Sequence, residues 1–155
     1  ELLEEIGYEN LREKAWKEGQ VCHGEYNQHN ILILKSDTDK TAVTNFGHWS
    51  FDIQMSDLYC FMRKILEKYN WDLKLAREML REYHKIRPIS PQEWQYLRVR
   101  FTYPEKYWKQ LNYYYNANKA WIPEKNVEKL KTLEAQQGSR NRFLQNVFQD
   151  SDFSG

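Results

Sequence analysis

The run His23-Gly24-Glu25-Tyr26-Asn27-Gln28-His29-Asn30 limits how this chain can fold more than any other segment. It is a polar loop with a glycine, bounded by Val21 and Cys22 on one side and by Ile31-Leu32-Ile33-Leu34 on the other. Such a loop needs partners for its backbone groups, and short flanking strands and local side chains are the usual suppliers. The runs Ile31-Leu32-Ile33-Leu34 and Thr41-Ala42-Val43-Thr44 read as two such strands, with Ser36-Asp37-Thr38-Asp39-Lys40 as the turn between them. Fifteen residues after Asn30, a second short loop, Asn45-Phe46-Gly47, follows the hairpin.

The rest of the chain has helical periodicity. Leu2, Leu3, Ile6, Leu11, Ala15 and Trp16 predict one amphipathic helix over 2–17, ended by Gly19. Met55, Leu58, Tyr59, Phe61, Met62, Ile65 and Leu66 predict a core helix ending near Tyr69. Leu73, Leu75, Ala76, Met79, Leu80 and Tyr83 predict another, stopped at Arg87-Pro88. Ser90-Pro91-Gln92-Glu93 is a capping-box sequence with proline at the first helical position, opening a helix through Trp94, Leu97, Val99 and Phe101. Pro104 starts a helix whose Trp108, Leu111, Tyr114 and Tyr115 are expected in the core, with Tyr113, Asn116 and Lys119 outward. A last helix runs from about Pro123 toward Leu133, loosens at Gly138-Ser139 and resumes at Phe143, Leu144, Val147 and Phe148. The expected fold is mainly α with a small β-hairpin, as one domain over 1–149 and a frayed tail over 150–155.

At 155 residues, 41% hydrophobic and 15% aromatic, the chain can bury one compact core. A net charge of +1, from 23 basic and 22 acidic side chains, gives no electrostatic case for a nucleic-acid or anionic-membrane partner. Arg98, Arg100, Lys106 and Lys109 alternate with aromatics, but Glu93 and Glu105 balance them, so a solvated helix face is the expectation. No apolar run approaches the roughly 18 residues a membrane span needs, and the first twenty residues are unlike a signal peptide. Cys22 and Cys60 are too few for a disulfide framework and read as buried free thiols of a reducing cytoplasm. Cys22, His23, His29 and His48 fit no closed zinc-ligand spacing. The chain opens at Glu1 inside a helical pattern, which reads as part of something longer.

His-Gly-x, an Asn five positions on, and then a hairpin ending in x-Phe-Gly resemble the catalytic centre of aminoglycoside phosphotransferase and choline kinase-type enzymes. In that pattern the loop Asp takes the acceptor's proton, the Asn holds a metal, and the Asp before Phe grips the metal against the phosphates. Here Glu25 stands at the base position, Asn30 keeps the amide, and Asn45 stands at the metal position. The extra methylene of Glu25 displaces its carboxylate by about 1 Å, an error that can cost about a hundredfold in rate. Asn45 offers magnesium an oxygen without a charge. Nothing before His23 provides a glycine-rich phosphate loop or a strand lysine. His23 is expected to brace the loop beneath the hairpin. Asp57 is expected to accept backbone N–H bonds from that loop at the start of the following helix.

A wider resemblance covers most of residues 12–148. Val21 to Leu32, Val43-Thr44-Asn45-Phe46, Ser56 to Lys68, Arg87-Pro88, Tyr103-Pro104-Glu105-Lys106-Tyr107-Trp108-Lys109 and Asn112 to Ile122 are similar to the kinase-like bacterial spore coat proteins of the CotS family. The resemblance implies the carboxy-terminal, helical lobe of a protein-kinase-like, aminoglycoside phosphotransferase-type fold in a protein about twice as long. It implies a structural spore coat component on a degenerate pseudokinase scaffold, made in the mother-cell cytoplasm and deposited on the spore. The partners would be other spore coat proteins and the missing amino-terminal lobe, with no cofactor. The alternative is a weak or specialised small-molecule kinase using ATP and Mg, with Glu25 as base and Asn30 and Asn45 as metal ligands. Exposed tyrosine and tryptophan near Tyr113 and Trp121 are the candidate contact surface for coat partners.

Overall fold

The computed structural model describes residues 2–34, 40–116 and 123–148. The expected turn at 36–39, Lys119, Trp121 and the tail from 150 lie outside them. The elements in chain order are α1 (Leu2–Glu5), α2 (Tyr8–Lys17), β1 (Val21–Cys22), β2 (Ile31–Ile33), β3 (Thr41–Val43), a 3-10 turn (Phe46–His48) and β4 (Ser50–Phe51). Five helices follow: α3 (Met55–Lys68), α4 (Leu73–Ile86), α5 (Pro91–Thr102), α6 (Glu105–Asn116) and α7 (Glu124–Phe148). The fold is mainly α with a small antiparallel hairpin, β2–β3, paired Ile31 to Val43, Leu32 to Ala42 and Ile33 to Thr41.

A second two-stranded sheet was not read from the sequence. β1 pairs antiparallel with β4, setting Val21 against Phe51 and Cys22 against Ser50. At two residues each, these strands are too short to show any alternation of their own.

α3 is the central element, packed against α4 and α5, and α7 closes the core against both of those helices. Met55, Leu58, Tyr59, Met62 and Leu66 of α3 are buried, with Ala76 and Leu80 from α4, Tyr96, Leu97 and Phe101 from α5, and Phe143 and Val147 from α7. Aromatic edges organise this core. Phe101 lies 5.0 Å from Tyr59, 5.1 Å from Phe143 and 6.4 Å from Trp71, each pair in a T-shaped arrangement, which suits the ring quadrupoles.

Three expectations are corrected. The first helix is two, because Gly7 takes a left-handed φ of 66° between α1 and α2, and Gln92 Nε2 donates to the carbonyls of Ile6 and Gly7 at that break. Trp16, expected on the apolar face of this helix, is 67% exposed, while Leu11 and Ala15 are buried. α7 does not loosen at Gly138. It runs unbroken, because Gln136 Nε2 donates to Glu67 O at 2.8 Å, Arg140 caps carbonyls of α5, and buried Phe143 holds the next turn. Tertiary clamps on both sides outweigh a glycine penalty of about 1 kcal/mol.

The largest correction concerns α6. None of its residues is buried: Trp108 is 53% exposed and Tyr115 77%, and Tyr113 and Tyr114 are exposed as well. α6 packs on α7 and contributes nothing to the interior. Of the four residues expected inside, Leu111 alone is half-buried, and Trp108, Tyr114 and Tyr115 face out.

Candidate functional site

The loop at 23–30 is built from its backbone outward. At the start of α3, Asp57 accepts from His23 N at 2.5 Å through Oδ2 and from Gly24 N at 3.0 Å through Oδ1. One carboxylate thus satisfies two consecutive amides, a charge-assisted arrangement stronger than two neutral bonds. His23, 6% exposed, accepts from Glu25 N at 3.1 Å through Nδ1. Because that nitrogen accepts, the ring proton sits on Nε2, which donates to Thr44 O at 2.8 Å. His23 therefore ties the loop to the end of the hairpin. Its ring also lies 4.7 Å from that of Phe46.

Gly24 has no room for a side chain. Its φ is 80°, and a Cβ there would lie 2.2 Å from His48 O, so the two loops touch backbone to backbone. Asn27, buried, donates to Glu25 O at 2.7 Å and accepts from His29 N at 3.0 Å, closing the loop on itself. Asn30 Nδ2 also donates to Glu25 O, at 2.9 Å, and Thr44 N donates to Asn30 O.

The side chains of Glu25 and Asn45 meet. Asn45 occupies the left-handed region at φ 68°, where asparagine is among the residues most at ease, and its Nδ2 donates to Glu25 Oε2 at 2.9 Å. His48 Nε2 stands 3.6 Å from the other oxygen, Glu25 Oε1. The carboxylate thus faces an amide donor on one side and an imidazole on the other. Sequence reasoning did not include Thr44 or His48 in the site. His48 joins it only because the 3-10 turn Phe46–His48 folds back over Gly24, and no spacing rule announces that.

Cys22, just before the loop, is buried and free, and Cys60 is a half-buried free thiol. Burial pushes the Cys22 thiol up to about 12, helped by the Asp57 and Asp52 carboxylates, and Sγ donates to Asp52 O at 3.3 Å. At such a value it is no nucleophile near neutral pH. Among the described residues no three His, Cys, Asp or Glu side chains converge as a metal site, and no helix is long and apolar enough to cross a membrane.

A crystal structure of an aminoglycoside phosphotransferase from Alicyclobacillus acidocaldarius subsp. acidocaldarius DSM 446 superposes on the chain with a TM-score of 0.84 at 20% sequence identity. The match covers 96% of this chain and 43% of that one, so the chain spans less than half the length of that neighbour, and at this identity the likeness is one of fold. A carboxy-terminal lobe of that kinase-like fold is the architecture described above. No curated protein matches the chain. The family model described as "Spore coat putative kinase YutH" matches residues 3–147, and the chain belongs to that spore coat, kinase-like family.

Proposed function

We propose that this chain is a structural component of the spore coat whose kinase-like loop serves as a brace and not as a reaction centre. The observation that carries the reading is the bond from Asn45 Nδ2 to Glu25 Oε2 at 2.9 Å. In a working phosphotransferase both positions are anionic: the loop carboxylate takes the acceptor's proton, and the carboxylate before Phe grips magnesium together with the loop Asn. Here one is a neutral donor and satisfies the other without a metal. The donor set is one carboxylate with two amides, Asn30 and Asn45, and Asn45 turns its N–H group inward. That set does not fit a phosphate-bound magnesium, which calls for carboxylates at near-octahedral geometry. One feature favours the weak-kinase reading: with Asn30 Nδ2 bound to Glu25 O, the Asn30 amide oxygen points away from that bond.

The test is ligand-dependent stability and turnover of the purified full-length protein. Neither ATP with magnesium nor magnesium alone is expected to raise its Tm, and ATP hydrolysis is expected at the uncatalysed background. A magnesium-dependent Tm rise with ATP, together with turnover abolished by Glu25→Ala, would establish the weak kinase instead.

Two surfaces support the structural role. Tyr103, Tyr107, Trp108, Tyr113, Tyr114 and Tyr115 leave an aromatic face exposed along α6 and its start, and such side chains anchor protein interfaces. This face would meet other coat proteins. The hairpin carries Leu32 and Ile33 into solvent, with Ile33 70% exposed, and is the side on which an amino-terminal lobe would pack. A Tyr107→Ser/Tyr115→Ser variant with an unchanged Tm is expected to lose deposition on the spore. Undiminished deposition would remove the α6 part of the proposal.

A further inference from the structure

A cleft of about 700 Å³ opens between α3, the α5–α6 junction and α7, and it shares no residue with the Glu25–Asn45 loop region. It lies within the size range of small-molecule sites. Its walls are aromatic: Tyr59 and Trp71 inside, Tyr103 and Tyr107 at the rim. Trp71 is held in a left-handed backbone conformation, φ 57°, an uncommon state for a bulky residue, with Trp71 N donating to Leu66 O at 2.7 Å.

The cleft's charges divide into satisfied and unsatisfied groups. Arg63 pairs with Glu67 at 3.0 Å and approaches Glu105 at 3.8 Å, and Lys106 pairs with Glu67 at 2.5 Å. Those four cancel. Arg140 behaves differently. Its Nη2 donates to the carbonyls of Phe101 and Thr102 at 2.6 and 2.9 Å, and its guanidinium lies 5.7 Å from the Trp71 ring. Among the described residues it makes no ion pair with any carboxylate, and burial lowers its affinity for the proton. Exposed Lys131 adds a second cation at the mouth, against Glu134 alone. Half-buried cations normally have a counter-ion; Arg140 feels only Glu67 without contact, and that carboxylate is already shared by Arg63 and Lys106.

We propose that the cleft is a non-catalytic binding site for a small amphipathic monoanion, with its apolar body against the rings of Tyr103 and Tyr107 above Trp71 and its acidic group toward Arg140 and Lys131. The surplus of one positive charge matches a single anionic group. Of the cleft's carboxylates, Glu67 and Glu105 are already engaged by Arg63, Lys106 and Lys109, which leaves exposed Glu134 against the two cations Lys131 and Arg140. Arg140 also bridges α7 to the last carbonyls of α5, so an occupant would bear on the packing of those two helices.

The test uses 8-anilinonaphthalene-1-sulfonate, an aromatic monoanion, and its neutral analogue N-phenyl-1-naphthylamine, titrated into the natively folded protein with fluorescence and calorimetric readouts. One saturable site is expected for the anion, weakened by added salt and blocked by Val127→Trp, which fills the cleft. Arg140→Gln removes the charge and keeps a polar amide at the position. It is expected to weaken the anion about tenfold, the order of one charge-assisted bond, and to leave the neutral dye unaffected. Lys131→Glu, at an exposed position, is expected to weaken the anion by about three- to tenfold even if the Arg140 variant does not fold. Anion affinity unchanged by both charge variants, binding that survives Val127→Trp, or displacement of the dye by tetraalkylammonium ions would each overturn the proposal.

Discussion

At the scale of single residues, the site turns on whether Asn45 donates or accepts. An amide facing Glu25 makes a hydrogen bond, and a carboxylate there would repel it. Asn45→Asp tests this with little backbone cost, since aspartate also tolerates the left-handed φ of 68°. Expected without divalent ions is a loss of about 0.5–1 kcal/mol in urea denaturation, kept small because Glu25 is well exposed to solvent. Millimolar magnesium should restore part of that loss in the variant and change the parent protein little. The positions of Glu25, Asn30, Asn45 and Asp57 were legible through the resemblance of their spacing to a kinase catalytic centre. What Asn45 does there could not be found that way, since an amide offers an oxygen and an N–H equally, and only the position of Glu25 selects between them.

At the scale of elements, the capping box of α5 is one place where sequence and structure agree in detail. Ser90 accepts from Glu93 N, and Glu93 accepts from Ser90 N at 2.9 Å. The structure adds a bond from Arg87 Nη2 to Glu93 Oε1 at 2.5 Å. Burial by itself would raise the Glu93 pKa, but the hydrogen bonds from Arg87 and Ser90 outweigh it and hold the carboxyl below its ordinary value of 4.5. A depressed carboxylate stabilises the fold above its unfolded value and loses that contribution as pH falls through the folded one. The urea midpoint is therefore expected to drop as pH is lowered below about 4.5, and Glu93→Gln should flatten that part of the profile while lowering stability at pH 7. α7 gives the opposite lesson. Gly138 reads as a break, yet the helix passes through it, and nothing lies within 4 Å of where an added methyl group would sit. Gly138→Ala is expected to raise stability by about 0.5–1 kcal/mol, checked by thermal denaturation. A helix held on both sides of Gly138 by Gln136, Arg140 and Phe143 tolerates a residue that would end an isolated one.

At the scale of the whole molecule, one apolar cluster joins α3, α4, α5 and α7, with Phe143 fully buried between Trp71, Phe101 and Phe148 at 5.3, 5.1 and 5.7 Å. Phe143→Ala is expected to cost about 3–5 kcal/mol and to lower the midpoint of a single cooperative transition, followed by near-ultraviolet circular dichroism. Appearance of a second transition would mean that α7 is not part of the same unit. The sequence by itself determined the helices of this core and the β2–β3 hairpin, and its kinase-like pattern pointed to the two polar loops. Periodicity, caps and chain reversal are local properties, and each leaves its mark within a few residues. Only the tertiary structure decided the rest: that α6 turns its aromatics outward, that β1 finds β4, that Asn45 donates to Glu25, and that Arg140 stands over Trp71 and bonds backbone carbonyls of α5. Those outcomes depend on which surfaces meet across long stretches of chain. A pattern of apolar spacing says that a helix has a face, but not whether another element arrives to cover it.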